Sequence, residues 1–249
     1  MAAERTRRIQ VWEETKKRYQ AFPIQESIIY DTYDPTIILG ATKKYPNTQI
    51  EFLEDDCVDV ALKHVEEGLH PLILNMASDY NPGGGVAKGS AAQEEELFRR
   101  SNYYKHLHRT YYPQPPVPLR TILSKGVEFY RYSGYDDFQL MEKPVKMDCV
   151  AAAALRDPNV TMDESTYKNP KDTELMEQKI RMLFQVAIQN GNTSLVLSAW
   201  GCGAFCNPVP QVAKLFRKIA DEHRGFFRKI TFAILGKNFK AFKNAYYGK

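Results

Sequence analysis

The chain has 249 residues, 43% of them apolar and 26% charged, proportions that exclude a disordered tail, a collagen-like repeat and a disulfide-stapled miniprotein. The formal net charge of +4 points no further than an acidic ligand. No apolar run approaches the ~20 residues of a bilayer-spanning helix, and the polar start carries no apolar leader segment.

The apolar positions Ile9, Trp12 and Tyr19 predict a helix over 3–20, ended by Pro23. Residues 24–40 are β-branched and aromatic and read as extended or turn structure around Asp34-Pro35. A strand over 48–53 follows, and Asp55 or Asp56 then caps a helix that runs to Glu67 and stops at Gly68. A short buried strand over 71–75, built on Leu72-Ile73-Leu74, leads into a glycine loop over 81–85. Ser90 with Gln93 has capping-box form and opens a helix to about His108. Pro113, Pro115, Pro116 and Pro118 make 111–119 a stiff loop or, alternatively, a polyproline ligand.

Strands over 126–132 and 145–151 come next, then a polar loop over 156–168. Asn169-Pro170 forms an N-cap and first-turn pair for a helix to about Asn190. After a turn at Asn190-Gly191 come a strand over 194–200 and a second glycine loop over 201–208. A helix to His223 then carries Val212, Leu215, Phe216 and Ile219 on one face. A strand over 230–235 and an amphipathic helix over 239–247 end the chain. Strands and helices alternate, so the expected fold is an α/β sheet with helices on both faces, in one domain over 1–249.

Gly83-Gly84-Gly85 removes every Cβ from a stretch of backbone just after a buried strand. Main-chain amides can then approach a ligand closely, and a helix start downstream adds free N–H groups suited to phosphate. Gly201-Cys202-Gly203-Ala204-Phe205 repeats this logic after another strand. Two such loops beside the carboxyl ends of neighbouring strands would form a cleft for a nucleotide-like ligand. Neither loop has the ordinary dinucleotide or P-loop spacing. Glu94-Glu95-Glu96 follows Gln93, and acids in a first turn can simply complement the helix dipole. Successive residues point about 100° apart, so one acid can face the cleft, a neighbour can sit beside it, and the third looks away. Clustered carboxylates raise one another's pKa, which suits an acid that protonates a sugar leaving group.

Gly83-Gly84-Gly85, seven intervening residues and Gln93-Glu94-Glu95 resemble the signature of poly(ADP-ribose) glycohydrolases. The segments 74–85 and 199–205 are similar to the compact microbial-type branch, and the resemblance runs through nearly the whole chain. It implies a macrodomain-like three-layer sandwich, a mixed sheet flanked by helices, with the helix over 3–20 packed on it. It implies hydrolysis of ribose–ribose bonds in poly(ADP-ribose), reversing protein ADP-ribosylation such as that raised by DNA damage. Glu95 would be the general acid/base and Glu94 would hold the terminal ribose hydroxyls. Gln93 would order the polymer end, and Gly83, Gly84 and Gly85 would lie against the ribose. Asn75 would hydrogen-bond the ribose, although animal-type enzymes place an acid there. Gly201, Cys202, Gly203, Ala204 and Phe205 would cradle the diphosphate, with Phe205 packing on the ligand. No cofactor or metal is implied. The partners would be poly(ADP-ribose), ADP-ribose and poly-ADP-ribosylated proteins, with no membrane. The chain has no room for the accessory domain of the larger enzymes, so release is expected mainly from chain ends. The alternatives are removal of single ADP-ribose units from protein or nucleic acid, and non-catalytic reading of ADP-ribose.

The remaining candidates carry less. Cys57, Cys149, Cys202 and Cys206 complete no zinc pattern and no disulfide framework, which points to a reducing compartment, cytoplasm or nucleus. His106 and His108 are expected to be solvated, and Lys88 to be a loop lysine. Tyr103, Tyr104, Tyr111 and Tyr112 could stack a base or fill the core. Residues 214–249 hold ten Lys/Arg against Asp221 and Glu222, a charge bias more typical of a solvated face than of direct nucleic-acid binding.

Overall fold

The computed structural model describes residues 2–112 and 117–249. Its strands are β1 (Ile28–Tyr30), β2 (Gln49–Leu53), β3 (Pro71–Met76), β4 (Thr121–Arg131), β5 (Leu140–Ala152), β6 (Ser194–Leu197) and β7 (Lys229–Ala233). They form one mixed sheet in the order β1-β4-β5-β3-β6-β7-β2. β1 and β5 flank β4 antiparallel, whereas β5, β3, β6, β7 and β2 run parallel. The helices are α1 (Ala2–Arg18), α2 (Pro35–Gly40), α3 (Cys57–Glu66), α4 (Gln93–Arg100), α5 (Pro170–Asn190), α6 (Val209–Glu222) and α7 (Asn238–Tyr247).

Period-two alternation along the buried strands creates the three layers. Leu72 and Leu74 of β3, Leu195 and Leu197 of β6, and Ile230 and Phe232 of β7 face one core with α5, α6 and α7. Ile73 and Val196, on the same strands, face the other core with Trp12 of α1, Val58 and Ala61 of α3, and Leu97 and Phe98 of α4. This is the expected sandwich of a mixed sheet between helical layers. α1 is tied to α4 by Thr15, whose hydroxyl donates to the Arg99 carbonyl at 2.7 Å. It also lies on the turn before α4, where Arg8 donates to the Gly89 carbonyl at 2.8 Å.

Most predicted elements are present within a few residues, and the differences have physical causes. The 24–40 stretch holds β1 and the short α2, because Pro35 sits in the first turn and Asp34 caps it by accepting from Thr36 N at 2.9 Å. Ser90 caps nothing. α4 starts three residues later, with Ala92 at the cap position and no side-chain cap. α4 also ends at Arg100, not His108, since Ser101 turns extended and bridges to Phe129. Two single 3-10 turns, Tyr103–Lys105 and Arg109–Tyr111, follow instead. β4 and β5 form a hairpin longer than the predicted strands. A register shift at Ser124/Val127, with Gly126 at φ +63°, interrupts the apolar pattern that sequence reading relies on. Of the proline-rich loop, Pro113, Pro115 and Pro116 lie outside the described residues.

Candidate active site

Five parallel strands bring their carboxyl ends to one edge of the sheet, and the segments that follow them enclose a cleft of about 560 Å³. Strand spacing of about 4.8 Å puts β3 and β2 roughly 14 Å apart, so the cleft accommodates an elongated ligand lying across the strand ends. Met76 at the end of β3 and Ser78 beyond it, Ala154 and Arg156 after β5, and Trp200, Gly201, Gly203, Ala204 and Phe205 after β6 line it at one end. Ile234, Leu235 and Asn238 after β7, and Asp55 and Asp56 after β2, line the other.

The glycine loop after β3 is built around two carboxylates. Glu94 is 4% exposed. Its Oε2 accepts from Ser78 N at 2.7 Å, and its Oε1 accepts from Gly83 N at 3.1 Å and Asn75 Nδ2 at 3.3 Å. Glu95 lines the cleft and is anchored through one oxygen only: Oε1 accepts from Gly85 N at 2.8 Å, while Oε2 has no partner among the described residues. A Cβ on Gly84 would lie 2.6 Å from Glu95 Oε1, and one on Gly83 2.5 Å from the Phe98 ring. Both glycines have positive φ, +51° and +76°. The absence of side chains here admits the protein's own acids and Phe98 as much as any ligand.

Burial pushes the Glu94 carboxyl up to about 7. The hydrogen bonds from Ser78, Gly83 and Asn75 oppose that rise, and the neighbouring Glu95 charge adds least to it. Mutual repulsion, the cause expected from the sequence, is therefore the minor one. Glu96, the third acid, reaches Arg99 at 2.8 Å, where it is the counter-charge for a guanidinium that is fully buried. Gln93 fastens α4 to the end of β3: its side-chain oxygen accepts from Met76 N at 2.9 Å and its amide donates to the Leu74 carbonyl. Asn75 is fully buried behind Glu94 and, like Gly83, is not on the cleft wall, whereas Gly84, Gly85, Gln93, Glu94 and Glu95 are.

The loop after β6 has a different construction. Gly201 takes φ +76°, and a Cβ there would lie 2.6 Å from both the Ala154 Cβ and the Asn207 Nδ2. Asn207 organises the turn by donating to the carbonyls of Leu155, Gly201 and Phe205 at 2.6, 3.2 and 3.1 Å, while Tyr167 fixes its oxygen at 2.8 Å. Gly203 has nothing within 4 Å of its Cβ position and lies open on the cleft wall with Ala204 and Phe205. Cys202 is buried beneath the loop, off the wall, and its carbonyl accepts from Asn238 at 3.0 Å.

Three contributors escaped sequence reading. Asn207 sits in a stretch that reads as generic turn. Arg156 and Asp79 lie 77 residues apart yet pair between the loops that follow β5 and β3, with Arg156 Nε 2.9 Å from Asp79 Oδ2. The Arg156 guanidinium also lies 4.1 Å from the centre of the Phe205 ring. A polar loop arginine carries no sequence signal for such a placement.

The expected solvation of His106 is overturned. It is 4% exposed, and burial, reinforced by the His108 charge, pushes it down to about 4, so it is neutral near pH 7. Tyr103, Tyr104, Tyr111 and Tyr112 are not on the cleft wall; Tyr104 packs edge-on against Trp12 at 5.4 Å. The four cysteines are free thiols. Among the described residues no three His, Cys, Asp or Glu side chains are arranged to hold a metal ion, and no helix is long and apolar enough to cross a membrane. Part of the C-terminal basic excess is engaged in ion pairs, Arg217 and Arg224 with Asp221, Lys218 with Glu177, and Lys229 with Glu67.

A family model described as "Microbial-type PARG, catalytic domain", that is, poly(ADP-ribose) glycohydrolase, matches residues 10–131. Among solved structures, the poly(ADP-ribose) glycohydrolase of Thermomonospora curvata shares the fold, with a TM-score of 0.83 and 22% identity over 98% of this chain and 100% of that chain. Two variants of the Deinococcus radiodurans poly(ADP-ribose) glycohydrolase in complex with ADP-ribose are also similar. One is 28% identical over 88% of this chain and 93% of its own, with a TM-score of 0.74. The other is 31% identical over 80% of this chain and 82% of its own, with a TM-score of 0.66. A comparison with curated protein sequences finds no match.

Proposed function

The chain belongs to the microbial-type poly(ADP-ribose) glycohydrolase family, and from that premise we propose that it hydrolyses the ribose–ribose O-glycosidic bonds of poly(ADP-ribose), releasing ADP-ribose mainly from chain ends. In this reading the whole of 1–249 is one catalytic unit. An ADP-ribosyl unit lies across the strand ends with its terminal ribose against Gly84 and Gly85. Its diphosphate runs along 201–205, and its base lies toward Ile234, Leu235 and Asn238.

The observation that carries the proposal is the unequal treatment of the two oxygens of Glu95. One is fixed by the Gly85 amide and the other is buried without a partner among the described residues, on a side chain that lines the cleft. A fixed carboxyl group with one free oxygen suits proton transfer to and from a bound ligand. Glu95 donates its proton to the oxygen of the departing ribose as the bond to the anomeric carbon breaks and an oxocarbenium-like sugar forms. The resulting carboxylate takes a proton from water as the water oxygen bonds to that carbon, which returns Glu95 to its starting state. Positioned proton transfer of this kind contributes on the order of 10²–10⁴ in rate.

Glu94 braces the glycine loop through three donors and directs its remaining acceptor capacity at the ribose hydroxyls. Asn75 acts through Glu94, and Gln93 holds the start of α4 in register with β3. The natural substrates would be poly-ADP-ribosylated proteins in the cytoplasm or nucleus.

The test is product analysis over time with purified protein and poly(ADP-ribose). Free ADP-ribose as the dominant early product, with slow shortening of the polymer, is the expected result. Early accumulation of oligomers would replace release from ends by internal cleavage. Intact polymer would overturn the assignment.

A further inference from the structure

A diphosphate brings two negative charges into a cleft whose wall already carries five acids; Asp55, Asp56 and Glu96 are paired with Lys63, Arg100 and Arg99, while Glu94 and Glu95 have no cationic partner among the described residues. Among the described residues a single cationic side chain lines it, Arg156. Backbone amides of the 201–205 loop can donate to phosphate oxygens, but they carry no net charge to match that of a diphosphate. Arg156 is also held in an unusual way for a loop arginine. Nε lies 3.1 and 2.9 Å from the two oxygens of Asp79, Nη2 donates to the same carboxylate, and the Asp79 side chain is 8% exposed. The flat guanidinium is laid on the Phe205 ring, 4.1 Å from its centre. Asp79 follows β3, Arg156 follows β5 and Phe205 follows β6, so one side chain ties together three of the loops that form the cleft.

A half-exposed ion pair by itself contributes little, but this one fixes the plane of a guanidinium against an aromatic ring on the cleft wall. The Asp79 side uses Nε and Nη2, and Nη1 has no partner among the described residues. We infer that Arg156 recognises the diphosphate of the bound ADP-ribosyl unit, donating from Nη1 to a phosphate oxygen while Asp79 and Phe205 hold the guanidinium in place. The inference rests on the proposed function for the identity of the ligand. It assigns the charge recognition to a side chain and leaves the neutral hydrogen bonds to the glycine loop.

Binding of ADP-ribose and of adenosine, which lacks the phosphates, to the parent, Arg156→Gln and Arg156→Lys separates charge recognition from simple loop support. Arg156→Gln is expected to weaken ADP-ribose roughly 10- to 100-fold and to leave adenosine unchanged. Arg156→Lys should recover part of the loss, and the gap between parent and Gln variant should narrow as salt rises. With polymer as substrate, the Gln variant should show a larger change in KM than in kcat. Equal weakening of both ligands would reduce Arg156 to a structural prop, and unchanged ADP-ribose binding would remove it from the site. A parent that binds ADP-ribose but leaves polymer intact would overturn the proposed reaction, while the ligand ratio would still decide the role of Arg156. A parent that binds neither ligand would overturn both.

Discussion

The two glycine loops look alike in sequence and are built for opposite ends. After β3 the space left by missing Cβ atoms is filled from inside, by Phe98 and by the carboxyl groups of Glu94 and Glu95. After β6 only Gly201 is filled in this way, by Ala154 and Asn207, and Gly203 is left open to the cleft. The first loop is therefore a mould for two carboxyl groups and the second a platform with one pinned corner. A glycine tells where backbone comes close to something; its neighbours in space tell whether that something is the protein itself or a ligand.

Substitutions that restore a Cβ break this comparison most directly. Gly84→Ala is expected to have the largest effect, because it adds an atom 2.6 Å from Glu95 Oε1 on a residue at φ +51°. A carboxyl group displaced by about 1 Å should lose roughly 100-fold in polymer turnover. Turnover near that of the parent would mean the loop is not moulded on Glu95.

The Glu94 carboxyl sharpens the contrast through pH. Its folded pKa of about 7 lies above the ordinary carboxyl value of 4.5, so the native state holds the proton more tightly than the unfolded chain. Its contribution to stability is then fully present below pH ~4.5 and is lost as pH rises through about 7, on the order of 3 kcal/mol. Unfolding free energies measured across that range should fall more steeply for the parent than for Glu94→Gln. Parallel curves would mean that Glu94 titrates normally.

In the second loop, Gly201→Ala meets Ala154 and Asn207 at 2.6 Å with φ at +76°. A loss of about 1–3 kcal/mol in unfolding free energy is expected, with weaker ADP-ribose binding as the turn shifts. Gly203→Ala should be the mildest change, within about 0.5 kcal/mol in stability, since nothing lies within 4 Å of the added atom. A marked drop in ADP-ribose affinity there would show that the ligand itself approaches Gly203 closely.

Much of this was legible in the sequence because it is local. The run Leu72-Ile73-Leu74 announces a strand buried on both faces, Asn169-Pro170 announces the start of α5, and the glycine triplet with its acids announces the cleft. What the sequence did not convey depends on distant partners. Ser90 has the look of a cap, but the amide of Gln93 is claimed by the end of β3. The helix after it is cut short because Ser101 pairs with Phe129. The rise at Glu94 comes mainly from burial, which a row of three adjacent acids does not encode. Arg156, Asp79 and Asn207 gain their places only when the loops after β3, β5 and β6 meet.

The central claim is that Glu95 moves the proton and does not merely help to hold the ligand. Polymer turnover and ADP-ribose affinity measured side by side for the parent and Glu95→Gln test it, since the amide keeps the shape of the side chain but cannot exchange the proton. The account expects turnover to fall by about 10²–10⁴ while affinity stays within a few-fold. Turnover equal to that of the parent, or a loss of affinity that accounts for the whole loss of rate, would contradict it.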